Sequence, residues 1–242
     1  MPHAPPCAPV PGAALARLLA RMAGRASVPA GMPPAERLGG WLDWPRAVAL
    51  SRALDGGEDA AANDATGPVP AGADLAEECR RVRASLEAAI TGEGGDWTRA
   101  SGAGGRRGTP TDAVQRHGLR LQREMQAATG RLRGELRERL LGQGGDGARL
   151  AAVDAVMEGL LAPREHALLA ATVPALVARF EALHAANAAG AAATLPDADA
   201  DAAAWRVRFR NEAREVLLAE LDLRFQPIEA LLAALRSERQ DA

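Results

Sequence analysis

The 242-residue chain has no Lys and no Tyr, only seven aromatic residues (four Trp and three Phe), two Cys and four His. Each shortage excludes something. Without Lys there is no P-loop lysine, no Schiff-base lysine and no kinase-type lysine. Cys7 and Cys79 make neither a disulfide framework nor a zinc set, which fits a reducing compartment. With so few His and no Gly-x-Ser-x-Gly, a hydrolytic triad has no members in recognisable order. Val, Ile, Tyr and Phe are scarce and no stretch alternates apolar with polar residues, so strands are not expected. No uncharged run reaches the roughly 18 residues that a bilayer crossing needs. The start, "MPHAPPCAPVPG", lacks a basic region and an apolar core, and Arg17 and Arg21 interrupt the Leu-rich stretch behind it. The expectation is a cytoplasmic protein.

What is abundant is Ala, 57 residues of it, a strong helix former with one methyl group to bury. Helices should be many and side-chain packing thin. All 29 basic residues are Arg, and the net charge of -2 favours neither a nucleic-acid partner nor a strongly acidic character. The distribution is more telling. Residues 55–78 carry seven acids and no Arg, and residues 99–139 carry ten Arg against four acids, so the two parts could meet each other or a partner.

The pattern predicts an all-α helical bundle with long amphipathic, coiled-coil-like helices and disordered linkers. Residues 1–55 read as a short-helix segment: one helix within 12–24, a second after Pro33 and Pro34 with Leu38, Trp41 and Leu42, and a third restarted by Pro45 with Asp43 as its cap. Residues 56–72 read as an acidic linker, and 73–188 as a long-helix region containing a Gly-rich loop at 92–109. Within it, a helix from Thr111 sets Val114, Leu121, Met125, Ala128, Leu132 and Leu136 in one stripe, with Arg116, Arg120, Arg123 and Arg137 opposite. From Ala148 to about Ala189 the helical period continues, with kinks or restarts expected at Pro163 and Pro174. Residues 189–201 read as a second linker. Residues 202–242 carry Trp205, Phe209, Ala213, Val216, Glu220, Arg224, Ile228, Leu231 and Leu235 at helical spacing, read as two near-collinear helices about Pro227 that pack on the bundle.

Most motifs have plain explanations. "GQGGDG" (142–147) matches a dinucleotide fingerprint literally, but a charged helical run precedes it where a strand is required, so it reads as a helix–helix connection. Glu181 and His184 have the spacing used by di-iron bundles, which need the motif twice and two further Glu. It occurs once, so a surface pair is expected, and His166 beside Glu165 is no better as ligand or base. No cofactor or metal is expected. Arg106 and Arg107 with Arg116, Arg120 and Arg123 could contact phosphates, although no aromatics interleave and Glu124, Glu135 and Glu138 dilute the charge. A solvated face is preferred.

Trp41 and Trp44 stand three residues apart in "GGWLDWPRAVALSRAL" (39–54), where they would share a helical face. The first reading is a core plug clamping two short helices, and the second is a partner anchor, since Trp is favoured at hot spots. Trp205 and Phe209 are further core or interaction anchors.

"LARLLARM" (15–22), "ERLGGWLDWPRAVALSRAL" (36–54) and "AELDLRFQPIEALLAAL" (219–235) together resemble the bacterial family called domain of unknown function 3348. The resemblance spans nearly the whole chain. It implies no established activity. Its members tend to be encoded near membrane proteins resembling flagellar-stator and OmpA-type components, which implies a cytoplasmic accessory of an envelope motor-like assembly. The leading expectation is therefore a non-enzymatic helical adaptor that presents a helical seam to a partner or to its own copy, with a contiguous apolar strip left open along the long helices. The alternative is a nucleic-acid-associated regulator using the Arg-rich face of 106–139.

Overall fold

The computed structural model describes residues 12–24, 43–55, 72–92, 109–193 and 198–237. Seven helices run through them: α1 (Ala13–Met22), α2 (Trp44–Leu54), α3 (Gly72–Thr91), α4 (Pro110–Gln143), α5 (Gly145–Ala170), α6 (Thr172–Ala193) and α7 (Ala198–Ser237). No strand occurs among the described residues, and the fold is all-α.

Local chemistry sets the helix ends. Asp43 caps α2 by accepting from the Arg46 N–H at 2.9 Å, with Pro45 in the first turn where a missing N–H does no harm. Thr109 and Asp112 form a reciprocal capping box at α4, one residue upstream of the expected start. At the other end of α4, Gly144 alone joins it to α5, at a φ of 73°, which favours glycine. "GQGGDG" is thus a helix–helix turn.

Because the turn is so short, α4 and the α5–α6 line run antiparallel in constant register. Arg133 and Arg137 reach Asp154, Gln122 reaches the Leu169 carbonyl, and Gly118 faces Val173. Every step back along α4 is matched by a step forward on its partner, even past the break at Ala171. α7 lies against α1, α3, α4, α5 and α6, and so holds the centre of the bundle. α2 rests on α5.

The stripe of α4 forms the core: Val114, Leu121, Met125, Leu132 and Leu136 are fully buried, with Ala128 half-buried. From α7 come Phe209, Ala213, Val216, Leu217, Leu221, Phe225, Ile228 and Leu231. The strip expected to stay open along α4 is therefore covered by the chain's own helices. Arg137 also departs from expectation: it lies against α5 and pairs with Asp154, because α5 packs on the flank of α4 where Arg137 sits.

Three prolines behave differently. Pro174 stands in the first turn of α6, just after the break at Ala171, as a restart should. Pro163 and Pro227 lie inside continuous helices, so the helix does not restart at Pro163 and the expected C-terminal pair is one 40-residue helix. At Pro227 the buried side chains of Phe225 and Ile228 on either side hold the helix to its neighbours despite one lost hydrogen bond. The linker read at 189–201 is shorter than its composition suggests, since α6 continues through 193 and α7 begins at 198. Ala in those positions extends helix as readily as it fills a linker. The expected helix around Leu38 and Trp41, most of the 56–72 linker and most of the 92–109 loop lie outside the described residues.

Candidate functional site

A groove of about 870 Å³ lies between α4 on one side and α5 and α6 on the other, with α7 beneath. Small and apolar side chains line much of it, among them Leu119, Ala162, Leu169, Ala170, Val173 and Ala178. It exists because Ala and Gly stand where larger side chains would fill the gap between antiparallel helices.

The polar parts of the groove are built from α4 and α7. Glu220 is fully buried, and Arg224, one turn later, donates to its Oε1 from Nε at 3.1 Å and from Nη2 at 2.9 Å. Gln122 closes the set from α4, donating from Nε2 to Glu220 Oε2 at 3.0 Å and to the Leu169 carbonyl at 2.8 Å. A buried carboxylate is tolerable only when its lone pairs are so occupied. Gln122 and Arg224 line the groove wall.

A second charged set ties α4 to α5 at one end of the groove. Arg133 grips Asp154 with two parallel hydrogen bonds, Nη2 to Oδ1 at 2.7 Å and Nε to Oδ2 at 2.8 Å, and donates to Glu158 at 3.1 Å. Arg137 donates to the same Asp154 at 2.6 Å. Burial pushes the Asp154 pKa up, but the two guanidinium groups outweigh it and hold the carboxyl below its ordinary value. A third set lies between α6 and α7, where Arg179 grips Glu212 at 2.6 and 2.8 Å and lowers its pKa.

Beside that third set, Trp205 and Phe209 pack on Phe180, with ring centroids 5.4 and 5.2 Å apart. Both anchors are in the core. His184 stacks on Phe180 and meets the edge of Trp205, and both it and Glu181 are exposed, as a surface placement requires. Trp44 corrects the core-plug reading: it is 80% exposed. A helix side chain leans toward the N-terminus, and Trp44, the first residue of α2, has no preceding turn of its own helix to lean on. Trp41 lies outside the described residues.

Arg116, Arg120 and Arg123 are exposed on α4, with Arg120 paired to Glu124 at 2.7 Å. Arg123 lies on the groove rim. Arg106 and Arg107 lie outside the described residues. His166 and Glu165 line the groove, and among the described residues no three His, Cys, Asp or Glu gather as a metal set. Among the described residues one stretch, Gly145–Gly190, is long and apolar enough to cross a membrane by length and composition alone.

The Gln122–Glu220–Arg224 set went unremarked in the sequence, although its signal was present: Glu220 and Arg224 interrupt an apolar period four residues apart, as a buried ion pair would. Nothing in the local sequence marks Gln122.

The family model described as protein of unknown function (DUF3348) matches residues 1–237, and the chain belongs to that family. No curated protein and no solved structure matches it.

Proposed function

We propose that this member of a family of unknown function is a non-enzymatic helical adaptor that docks another protein through the outer face of α2. One observation supports the reading: α2 has no buried residue, rests on α5, and holds Trp44 80% exposed and Leu54 53% exposed. In a chain with seven aromatics, an outward Trp is an expensive use of a large ring. Covering it would remove roughly 150–250 Å² from water, about 4–6 kcal/mol before the costs of association. The family resemblance suggests stator-like or OmpA-like membrane proteins as the first partners to seek, with the chain on the cytoplasmic side.

The test compares wild type with Trp44→Ala in affinity purification from the native cell, alongside light scattering of the purified protein. Recovery of a membrane-protein partner or a homo-oligomer by wild type, lost in the variant, is the expected result. A wild type that is strictly monomeric and recovers the same proteins as the variant overturns it.

A further inference from the structure

We propose a second docking site, independent of α2: the groove between α4 and the α5–α6 line takes an amphipathic helix of a partner protein, acidic along one flank and basic along the other. The groove follows α4 from Gln115 to Arg133, about 27 Å at 1.5 Å per residue, which is five turns of a guest helix. Its walls are helices, whose backbone groups are already paired, so it offers no row of free N–H and C=O groups to an extended strand. Ala162, Ala170 and Ala178 recur every eight residues along one wall and are exposed, letting a guest backbone come close.

The charges name the guest. The α4 wall contributes Arg123 and Arg133 and no carboxylate. The opposite wall contributes Glu158, Glu165 and Glu181 and no Arg. Arg133 and Glu158 are bonded to each other at one end, which leaves Arg123 on the α4 wall and Glu165 and Glu181 on the opposite wall along the rest of the groove. A helix laid apolar side down therefore meets a cationic wall on one flank and an anionic wall on the other. With split flanks it fits in one direction. With both flanks alike it meets a repelling wall in either direction.

The experiment uses the full chain and three fluorescein-labelled 18-residue helical peptides that share one Ala/Leu stripe. One carries Glu on one flank and Lys on the other, one carries Glu on both, and one carries Lys on both. Fluorescence anisotropy should show the split peptide binding at least about tenfold more tightly than either uniform one, with the gap narrowing as salt rises. Ala170→Phe and Ala178→Phe, at exposed positions and checked for helicity, should each abolish that binding, and Trp44→Ala should leave it unchanged. The proposal is overturned if the split peptide does not bind, if a uniform peptide matches it, or if binding survives both Phe variants. Loss of peptide binding in Trp44→Ala would also overturn it, by placing the peptide on α2.

Discussion

Gln122 of α4 and Glu220 of α7, 98 residues apart in the chain, meet at 3.0 Å inside the bundle. The same Gln amide holds the Leu169 carbonyl near the end of α5, so one side chain ties three helices. The carboxylate is fully buried and depends on Gln122 and Arg224 for its hydrogen bonds.

Removing that carboxylate strands a nearly buried guanidinium. Glu220→Ala should lose about 3–5 kcal/mol, and Gln122→Leu about 1–3 kcal/mol for the acceptors left without a donor. Urea unfolding measures both, and a loss under about 1 kcal/mol for Glu220→Ala would contradict the network.

Two helical glycines of α4 should answer oppositely to Ala. At Gly134 an added Cβ meets nothing within 4 Å, so Gly134→Ala should gain about 0.5–1 kcal/mol of stability from helix propensity. At Gly118 the Cβ would lie 3.0 Å from Val173 Cγ2, and overpacking of about 1–3 kcal/mol should cancel or exceed the same gain. Thermal melts of the pair decide it.

His117 gives folding stability a pH dependence. Burial, and then the neighbouring Arg120, hold its pKa below the ordinary 6.5 in the folded state. The unfolded chain therefore takes up the proton more readily, so this contribution is complete above pH 6.5 and declines as pH falls through the folded value. Wild type should be more stable at pH 7.5 than at pH 5.5, with the slope reduced in His117→Gln. Asp154 and Glu212 have lowered pKa values, so their contributions persist there and disappear only in more acid solution.

Exposure separates two aromatic anchors. Trp44→Ala should change stability by no more than about 0.5 kcal/mol, whereas Phe209→Ala, at 1% exposure, should lose about 3–5 kcal/mol. A large loss for Trp44→Ala would restore the core-plug reading.

The sequence made the helices legible wherever apolar residues recur at helical spacing. The α4 stripe is buried as its period requires, and Asp43 caps as its position before Pro45 suggests. Arg137 was misplaced because helical phase says which residues share a face, but not how many neighbours crowd the flanks. Trp44 was read as a core plug because it would share a helical face with Trp41, but spacing along one helix does not say whether that face meets a neighbour, and Trp44 is 80% exposed. Proline misled at 227, where the buried Phe225 and Ile228 outweigh a local penalty. The groove was not legible at all: it is a relation among α4, α5, α6 and α7, and Ala170 looks the same in sequence whether it lines a gap or fills one.

The single-residue connection at Gly144 also bears on how the chain reaches this structure. Closing so short a loop loses little chain entropy, so the zipper from Arg137 and Asp154 outward to Gly118 and Val173 is expected to form early. α7 must then find partners as remote as Gln122 and Thr91, 98 and 123 residues away, and its arrival is expected to set the folding rate.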